Sequence, residues 1–342
     1  TLGAPTPPST PEQASVALAQ LAYPGGQETA GSKVVVVNSN DPAAAIAGAA
    51  LAHSVDGPLL LTAASGLDKA VKDEITHLTP SGAYLVGTTG ELSPALSSEV
   101  VAAGVPAKHV VSITAPDAAT LGADIANMGD TRTPAQKASN SPAFPGVVIT
   151  NPASDEAPAV SAFAAALGLP VLFVTASSLP GPTVSTLRSL DITTTFVVGD
   201  PTQVDAKVLA GLPGPHRFKG TDPASISAAI ATAAQSSGIP TNVVYVANSN
   251  SPAVAGAAGA AVSRLGGLLM VGPSTGTVEA SLAANGLDAK LDRIVVIPAS
   301  SAAGGLGVGA LVGIAIGAAL VLGALILLGI WLRRRSRRPA KG

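Results

Sequence analysis

The sequence predicts an α/β protein: three tandem, doubly wound modules with mostly parallel sheets, followed by one C-terminal transmembrane helix. Three observations predict it. The segment Val34-Val35-Val36-Val37-Asn38-Ser39-Asn40-Asp41-Pro42-Ala43 returns as Val244-Tyr245-Val246-Ala247-Asn248-Ser249-Asn250-Ser251-Pro252-Ala253, and a diverged copy begins at Val147-Val148-Ile149-Thr150-Asn151-Pro152. Each copy is followed by an Ala-rich stretch of helical character and then a second apolar run: Leu59-Leu60-Leu61-Thr62, Val171-Leu172-Phe173-Val174-Thr175 and Leu268-Leu269-Met270-Val271. Leu306 to Leu332 carries no charged residue. Continuous apolar runs suit strands buried on both faces, as in parallel sheets covered by helices. A repeat of roughly 95–110 residues is the size of a domain and too long for a solenoid unit.

Residues 1–30 read as a Pro- and Thr-rich lead-in over Thr1–Pro11 with a short helix after it. Module 1 occupies 31–128. Its expected strands lie near 34–37, 59–62, 83–87 and 109–113, and its helices near 42–53, 66–78, 94–103 and 117–128, with Asp117 near the start of the last. Residues 129–145, with Pro134, Pro142 and Pro145, read as a linker. Module 2 occupies 146–238 and continues like the first, with Thr195-Phe196-Val197-Val198-Gly199 matching Ala83-Tyr84-Leu85-Val86-Gly87. Gly238-Ile239-Pro240 marks the start of a shorter module 3 at 239–299, whose last apolar run is Arg293-Ile294-Val295-Val296-Ile297. Residues 300–305 form a short link, too short to hold module 3 far from a bilayer.

At 1.5 Å per residue, 306–332 is long enough to cross a hydrocarbon core of about 30 Å as a helix. The basic residues Arg333, Arg334, Arg335, Arg337 and Arg338 follow at once, in a tail of residues 333–342, a stop-transfer and positive-inside pattern. The expected location is therefore the cell membrane, single-pass, with the N-terminal portion extracellular and the C-terminus cytoplasmic. Export calls for a signal peptide, and a chain that starts at Thr1 reads as a mature one from which it has been removed. Gly305, Gly309, Gly313 and Gly317 recur every four residues on one face of the span, which suits close packing against a second copy or another membrane protein.

Composition narrows the chemistry. The chain is 47% apolar but 3% aromatic, so Ala, Val and Leu must fill its cores. It has no cysteine, which excludes thiol nucleophiles, thiolate metal sites and disulfides. Six of its 19 basic residues lie in the tail, leaving 13 against all 21 acids outside. Such an acidic surface repels phosphate polymers, so nucleic acid is not an expected partner. His53, His77, His109 and His216 show no metal-ligand spacing, and no phosphate-binding loop or nucleophile elbow occurs. Asp155-Glu156 is an adjacent carboxylate pair before a helix, where acids favour the positive end of the helix dipole more readily than they catalyse.

The recurrent turns are the candidate binding groups. A loop after the first strand of a doubly wound unit lies at the carboxyl end of the sheet, where ligands bind, and Asn, Ser and Pro there also form turns and cap the next helix. Asn38, Ser39, Asn40, Asn248, Ser249 and Asn250 are thus candidate ligand-binding residues for a polar glycan or peptide, with plain turn formation and capping as the alternative. Lys69, Lys72 and Lys108, or Arg188, Arg217 and Lys219, are candidates for a cationic groove.

The stretch Val34 to Thr62 resembles the opening of the cell wall-binding repeat 2 family. The match lies in the Val run, the turn, the Ala-rich helix and then Pro58-Leu59-Leu60-Leu61-Thr62, with Leu85-Val86-Gly87 and Leu92-Ser93 further on. Module 2 keeps Pro170-Val171-Leu172 and Val197-Val198-Gly199; module 3 has Gly267-Leu268-Leu269-Met270, without the proline. The resemblance covers 31–299. It implies three Toprim-like or flavodoxin-like modules about a pseudo-threefold axis that hold anionic wall polymers non-covalently. Where that family carries an Asp in the first helix, this chain has Ala44, Ala157 and Ala253.

The resulting expectation is a non-catalytic cell-envelope protein of a Gram-positive, actinobacterial cell, without cofactor or metal, that binds a cell-wall polymer. The alternative is a structural or accessory subunit of an envelope membrane complex, making protein contacts through its acidic ectodomain and its glycine-rich span.

Overall fold

The computed structural model describes residues 8–26, 32–128 and 146–297. Thr10 caps the first helix, accepting a hydrogen bond from the Gln13 amide, so α1 (Pro11–Ala22) begins at the last residue of the Pro- and Thr-rich lead-in. Its Pro11 stands at the first helical position, where a missing N–H costs nothing. β1 (Lys33–Asn38), α2 (Pro42–Ser54), β2 (Leu59–Thr62), α3 (Lys69–Leu78), β3 (Gly82–Thr88), α4 (Leu96–Ala102), β4 (Val110–Ala115) and α5 (Ala118–Asn127) follow, close to the boundaries expected from the sequence. The helix starts are chemically marked: Asp41, Asp68 and Asp117 each accept a hydrogen bond from an amide in the first turn of α2, α3 and α5.

Module 2 repeats the plan with β5 (Gly146–Thr150), α6 (Val160–Leu167), β6 (Val171–Phe173), α7 (Gly181–Ser189), β7 (Thr194–Val198), α8 (Ala206–Ala210), β8 (Pro215–Arg217) and α9 (Pro223–Ser236). Even the turn after the second helix is repeated, since Thr79 and Asp191 both take positive φ, 47° and 49°. Module 3 contains β9 (Val243–Asn248), α10 (Pro252–Leu265), β10 (Leu268–Gly272), α11 (Thr275–Ala284) and β11 (Arg293–Val296).

Every strand pairing among the described residues is parallel. The sheet orders are β2-β1-β3-β4, β6-β5-β7-β8 and β10-β9-β11, so the first strand of each module is central. This is the doubly wound order, in which the chain reverses direction across the sheet beside the first strand. Val34 to Val37 are wholly buried because helices cover both faces of that strand.

One edge of each sheet, at β2, β6 or β10, is closed by the helix that precedes the module in sequence. Ser15 Oγ, on α1, accepts a hydrogen bond from the Leu61 amide of β2 at 2.8 Å. Ser227 Oγ, on α9, does the same for the Val271 amide of β10 at 3.0 Å. On α5 the corresponding contact is made by Gly122, where an added Cβ would lie 2.9 Å from the Val171 carbonyl oxygen of β6. Covering an edge in this way removes it as a template for unwanted strand pairing.

The three modules meet through the helices that follow their first strands. α2, α6 and α10 pack pairwise about a common axis. A Cβ on Gly256 of α10 would lie 3.0 Å from Ala45 of α2, and one on Gly259 would collide with Ser161 of α6. Ser161 Oγ also reaches the Ala255 carbonyl at 3.4 Å. At the other end of the same pair of helices, His53 Nδ1 lies 2.9 Å from Ser263 Oγ, and the Arg264 guanidinium pairs with Asp56 at 2.5 Å and donates to the Ala22 carbonyl at 3.2 Å. α2 and α10 therefore run in the same direction, and α1 is pinned at the seam between modules 1 and 3.

No helix of the described residues is long and apolar enough to cross a membrane. The expected span 306–332, Gly305, Gly309, Gly313 and Gly317, the tail with Arg333, Arg334, Arg335, Arg337 and Arg338, and the linkers 129–145 and 300–305 all lie outside the described residues.

Two outcomes follow from this packing. Gly259→Ala should lower stability by about 1–3 kcal/mol through overpacking at the three-helix contact, read as a fall in the urea midpoint, whereas Gly276→Ala, with open space around it, should be neutral or slightly stabilising. Burial holds the His53 pKa down at about 4, against an ordinary 6.5, so the folded state keeps the ring neutral where the unfolded chain protonates it. Its contribution is complete above the unfolded pKa and is lost as pH falls from 6.5 toward 4, by on the order of 3 kcal/mol. His53→Gln should flatten the stability–pH curve across that window; an unchanged slope would show that His53 is not the titrating group.

Candidate functional site

The parallel α2/α10 pair and the seating of Ser161 beside Ala255 bring the N-terminal turns of α2, α6 and α10 to one end of the common axis. The loops after β1, β5 and β9 lead into those turns, so the repeated polar segments stand around one end of the molecule. Each contains the same local device. The side-chain oxygens of Asn38, Asn151 and Asn248 accept hydrogen bonds from the amides of Asn40, Ala153 and Asn250, at 2.8, 3.1 and 2.8 Å. An Asn that bonds the backbone two residues on mimics a turn and sends the chain from strand to helix.

The Asn side chains also tie neighbouring loops together. Asn38 Nδ2 donates to the Glu91 carbonyl, in the loop after β3. Asn151 Nδ2 donates to the Gln203 carbonyl at 3.3 Å, in the equivalent loop after β7. Ser39 and Ser249 donate their amides to the Thr62 and Gly272 carbonyls at 2.8 and 3.1 Å, fixing the turn against the second strand.

The six candidate residues therefore divide. Asn38, Asn248 and Ser249 are buried and hold the turns, while Ser39 is half-buried and Asn40 and Asn250 are exposed. The exposed rim continues through Ala64-Ser65, Thr89-Gly90 and Ser177-Ser178, which are small, polar or neutral groups.

Two carboxylates hold this end in place, Asp41 and the Glu156 of the adjacent pair. Asp41 is buried; its Oδ1 accepts from the Ala44 amide at 2.9 Å and its Oδ2 from the Thr88 amide and hydroxyl at 2.7 and 2.9 Å. It joins the start of α2 to the end of β3. Glu156 performs the same task in module 2, accepting from the Asp200 amide at 3.0 Å after β7. It makes no capping bond of its own, so its part is a loop-to-loop tie rather than service to the helix end. Burial raises the Glu156 pKa, offset in part by that Asp200 amide, and the Thr202 hydroxyl bond lowers that of Asp200. Asp155 is exposed, so the adjacent pair does not converge. Among the described residues no group of His, Asp and Glu is arranged to hold a metal ion.

The candidate cationic clusters are not brought together. Lys69 and Lys72 begin α3 at the carboxyl end of sheet 1, where Lys69 pairs with Asp73, whereas Lys108 precedes β4 at the opposite end. Arg188 ends α7 at the amino end of sheet 2, while Arg217 and Lys219 stand at the carboxyl end, where Arg217 donates to the Val204 carbonyl. Arg188 instead borders a largely apolar groove of about 710 Å³, lined by Leu179, Leu187, Ile192 and Leu212, away from the Asn turns.

A helix followed by a four-stranded parallel sheet of order 2-1-3-4, repeated and closed on its neighbours through small-residue helices, defines a class of tandem α/β protein whose shared surface is a set of polar loops. The family model for cell wall binding domain 2 matches residues 12–97, from α1 into α4. It is 27% identical over 248 residues to N-acetylmuramoyl-L-alanine amidase LytC of Bacillus subtilis (strain 168), covering 72% of this chain and 47% of that protein. Cwp6 and Cwp8 from Clostridium difficile share the fold, with TM-scores of 0.66 and 0.65 at 20% and 17% identity over 84% of this chain. The chain spans less than half the length of each of these proteins, 43% of Cwp6 and 48% of Cwp8.

The division of the turn residues is testable by stability. Asn38→Ala should lower the unfolding free energy by about 1–3 kcal/mol, because it removes a buried side chain that holds the turn and leaves the half-buried Glu91 carbonyl without its donor, while Asn40→Ala should stay within about 0.5 kcal/mol of the parent. Equal effects in urea unfolding would contradict the assignment.

Proposed function

We propose that the protein is a non-catalytic cell-envelope protein that binds a cell-wall polymer through the loop-bearing end of its three modules. The observation that carries this reading is the convergence of three like-built loops, with exposed Asn40 and Asn250 and half-buried Ser39, at one end of a common axis. The match of the cell wall binding domain 2 model at residues 12–97 supports it. The rim offers amide and hydroxyl groups that suit hydrogen bonding to the hydroxyls of a glycan chain. Three such loops contact successive parts of one polymer, and tethering raises the effective concentration for each further contact. In the same reading, 306–332 anchors the chain in the membrane with the modules outside, and the basic tail lies in the cytoplasm.

Sedimentation with isolated cell walls tests the proposal. The full chain in mild detergent should co-sediment, solubilised wall polymer should compete, and the triple variant Ser39→Ala, Asn40→Ala, Asn250→Ala should lose at least about tenfold in retention, some 1.4 kcal/mol. Retention unchanged in that variant would displace the binding surface. Failure to sediment, with a membrane protein co-purifying instead, would favour an accessory subunit.

A further inference from the structure

Among the described residues the third sheet has three strands where the other two have four. In modules 1 and 2 the third strand, β3 or β7, is covered on its far side by β4 or β8. β11 is the third strand of module 3, and among the described residues nothing pairs with its far side. The crossovers that deliver β4 and β8 run from residue 89 to 109 and from 199 to 214. Only residues 298–305 separate Ile297 from the uncharged run that begins at Leu306, and a parallel crossover needs about a dozen residues or more.

β11 is nonetheless built as an interior strand. The true edges of modules 1 and 2 carry features that discourage pairing: β8 is three residues long and opens Pro215-His216-Arg217, while β4 follows Lys108-His109 and includes the exposed Ser112 and Thr114. β11 has only Arg293 at its start and then Ile294-Val295-Val296-Ile297, a run like that of the central β1. Ile294 and Val295 are buried, so what remains open is the backbone itself. The Arg293 and Ile297 amides donate to the Asn242 and Val246 carbonyls, at 3.3 and 2.9 Å, which turns residues 293, 295 and 297 toward β9. The N–H and C=O groups of Ile294 and Val296 therefore face outward. An open, apolar, unprotected edge is a template for strand addition.

We propose that this edge pairs, antiparallel, with β11 of a second copy of the chain. The inference rests on the reading of 306–332 as a membrane anchor, because that reading keeps the run from supplying a fourth strand. It also selects the occupant. Two anchored copies present the same edge at the same height above the bilayer, and an antiparallel pair of identical strands is closed by one two-fold axis. Eight linker residues reach about 26 Å when extended, enough for two spans to descend side by side from such a pair. The outward groups of Ile294 in one copy then bond those of Val296 in the other, and the sheet continues across both molecules.

The absence of cysteine makes the test direct. Single cysteines are placed at each position from 293 to 297 in the full chain, in native membranes, and oxidised. A two-fold axis sets one residue opposite itself, so a disulfide-linked dimer is expected from one position and not from its neighbours. Val296→Pro should lower the dimer fraction at least about tenfold while leaving the urea midpoint unchanged, because its N–H faces away from β9 and no bond within the chain is lost. Absence of a cross-linked dimer at all five positions, or a cross-link from β11 to a different protein, would overturn the proposal. Retention in carbonate-washed membranes, measured on the same samples, reports on the anchor separately: retained but monomeric chain sinks the pairing alone, whereas dimer released from the membrane sinks the anchor alone.

Discussion

Close contact among α2, α6 and α10 is the constraint on which the rest of the structure depends. Helix axes approach this far only where the facing residues are Gly, Ala and Ser, and the contact is lined by Ala45, Ser161, Gly256 and Gly259. The alanine-rich composition is thus a packing requirement. A core filled by small side chains gains less per residue from apolar burial than one filled by Leu and Phe, and the chain recovers the difference by burying almost every residue of those helices. From Ala43 to Ala52 and from Ala253 to Val262, both helices are buried throughout.

That contact sets the placement of the surface loops. Because the helices start together, the segments that precede them end together, and three copies of a modest turn become one composite surface. The same arrangement explains where the ionisable groups went. Asp41 and Glu156 face inward and tie loops, Arg264 and Asp56 join the first and last modules, and His53 sits neutral beside them. At the loop-bearing rim, hydroxyl and amide groups stand beside the exposed Asp155 and Lys69, which do not converge. The loops thereby present hydrogen-bonding groups in place of one convergent charged groove.

Much of the fold was legible in the sequence because parallel strands buried on both faces are written as unbroken apolar runs. Val34–Val37 and Leu59–Leu61 need no context to be recognised, and Asp117 marked its helix start correctly. The mostly parallel α/β arrangement and the family resemblance could both be read from the repeat. Pairing across distance could not. Ser15 closes β2 and Ser227 closes β10 from helices whose sequences look like any Ala-rich segment, so nothing local announces that each helix serves the sheet after it. The cationic clusters failed for a related reason: Lys69 and Lys108 belong to one module, but the sheet holds them at opposite ends. Asn38 and Asn248 were found by their recurrence, yet recurrence alone does not separate a ligand-binding amide from one that holds a turn; only burial and partners do. Asp41 sits inside the repeated segment, but nothing local shows that its carboxylate reaches the Thr88 amide and hydroxyl across 47 residues.

Distances between the three loops test the central claim most directly. Pairs of cysteines placed at the exposed positions Asn40, Asp155 and Asn250, spin-labelled in the otherwise cysteine-free chain, give three separations that double electron–electron resonance measures. Convergence about a pseudo-threefold axis predicts three narrow and similar distributions, unchanged on adding wall polymer. Broad distributions, or one pair far longer than the other two, would show that the loops do not form a single surface and would contradict the account.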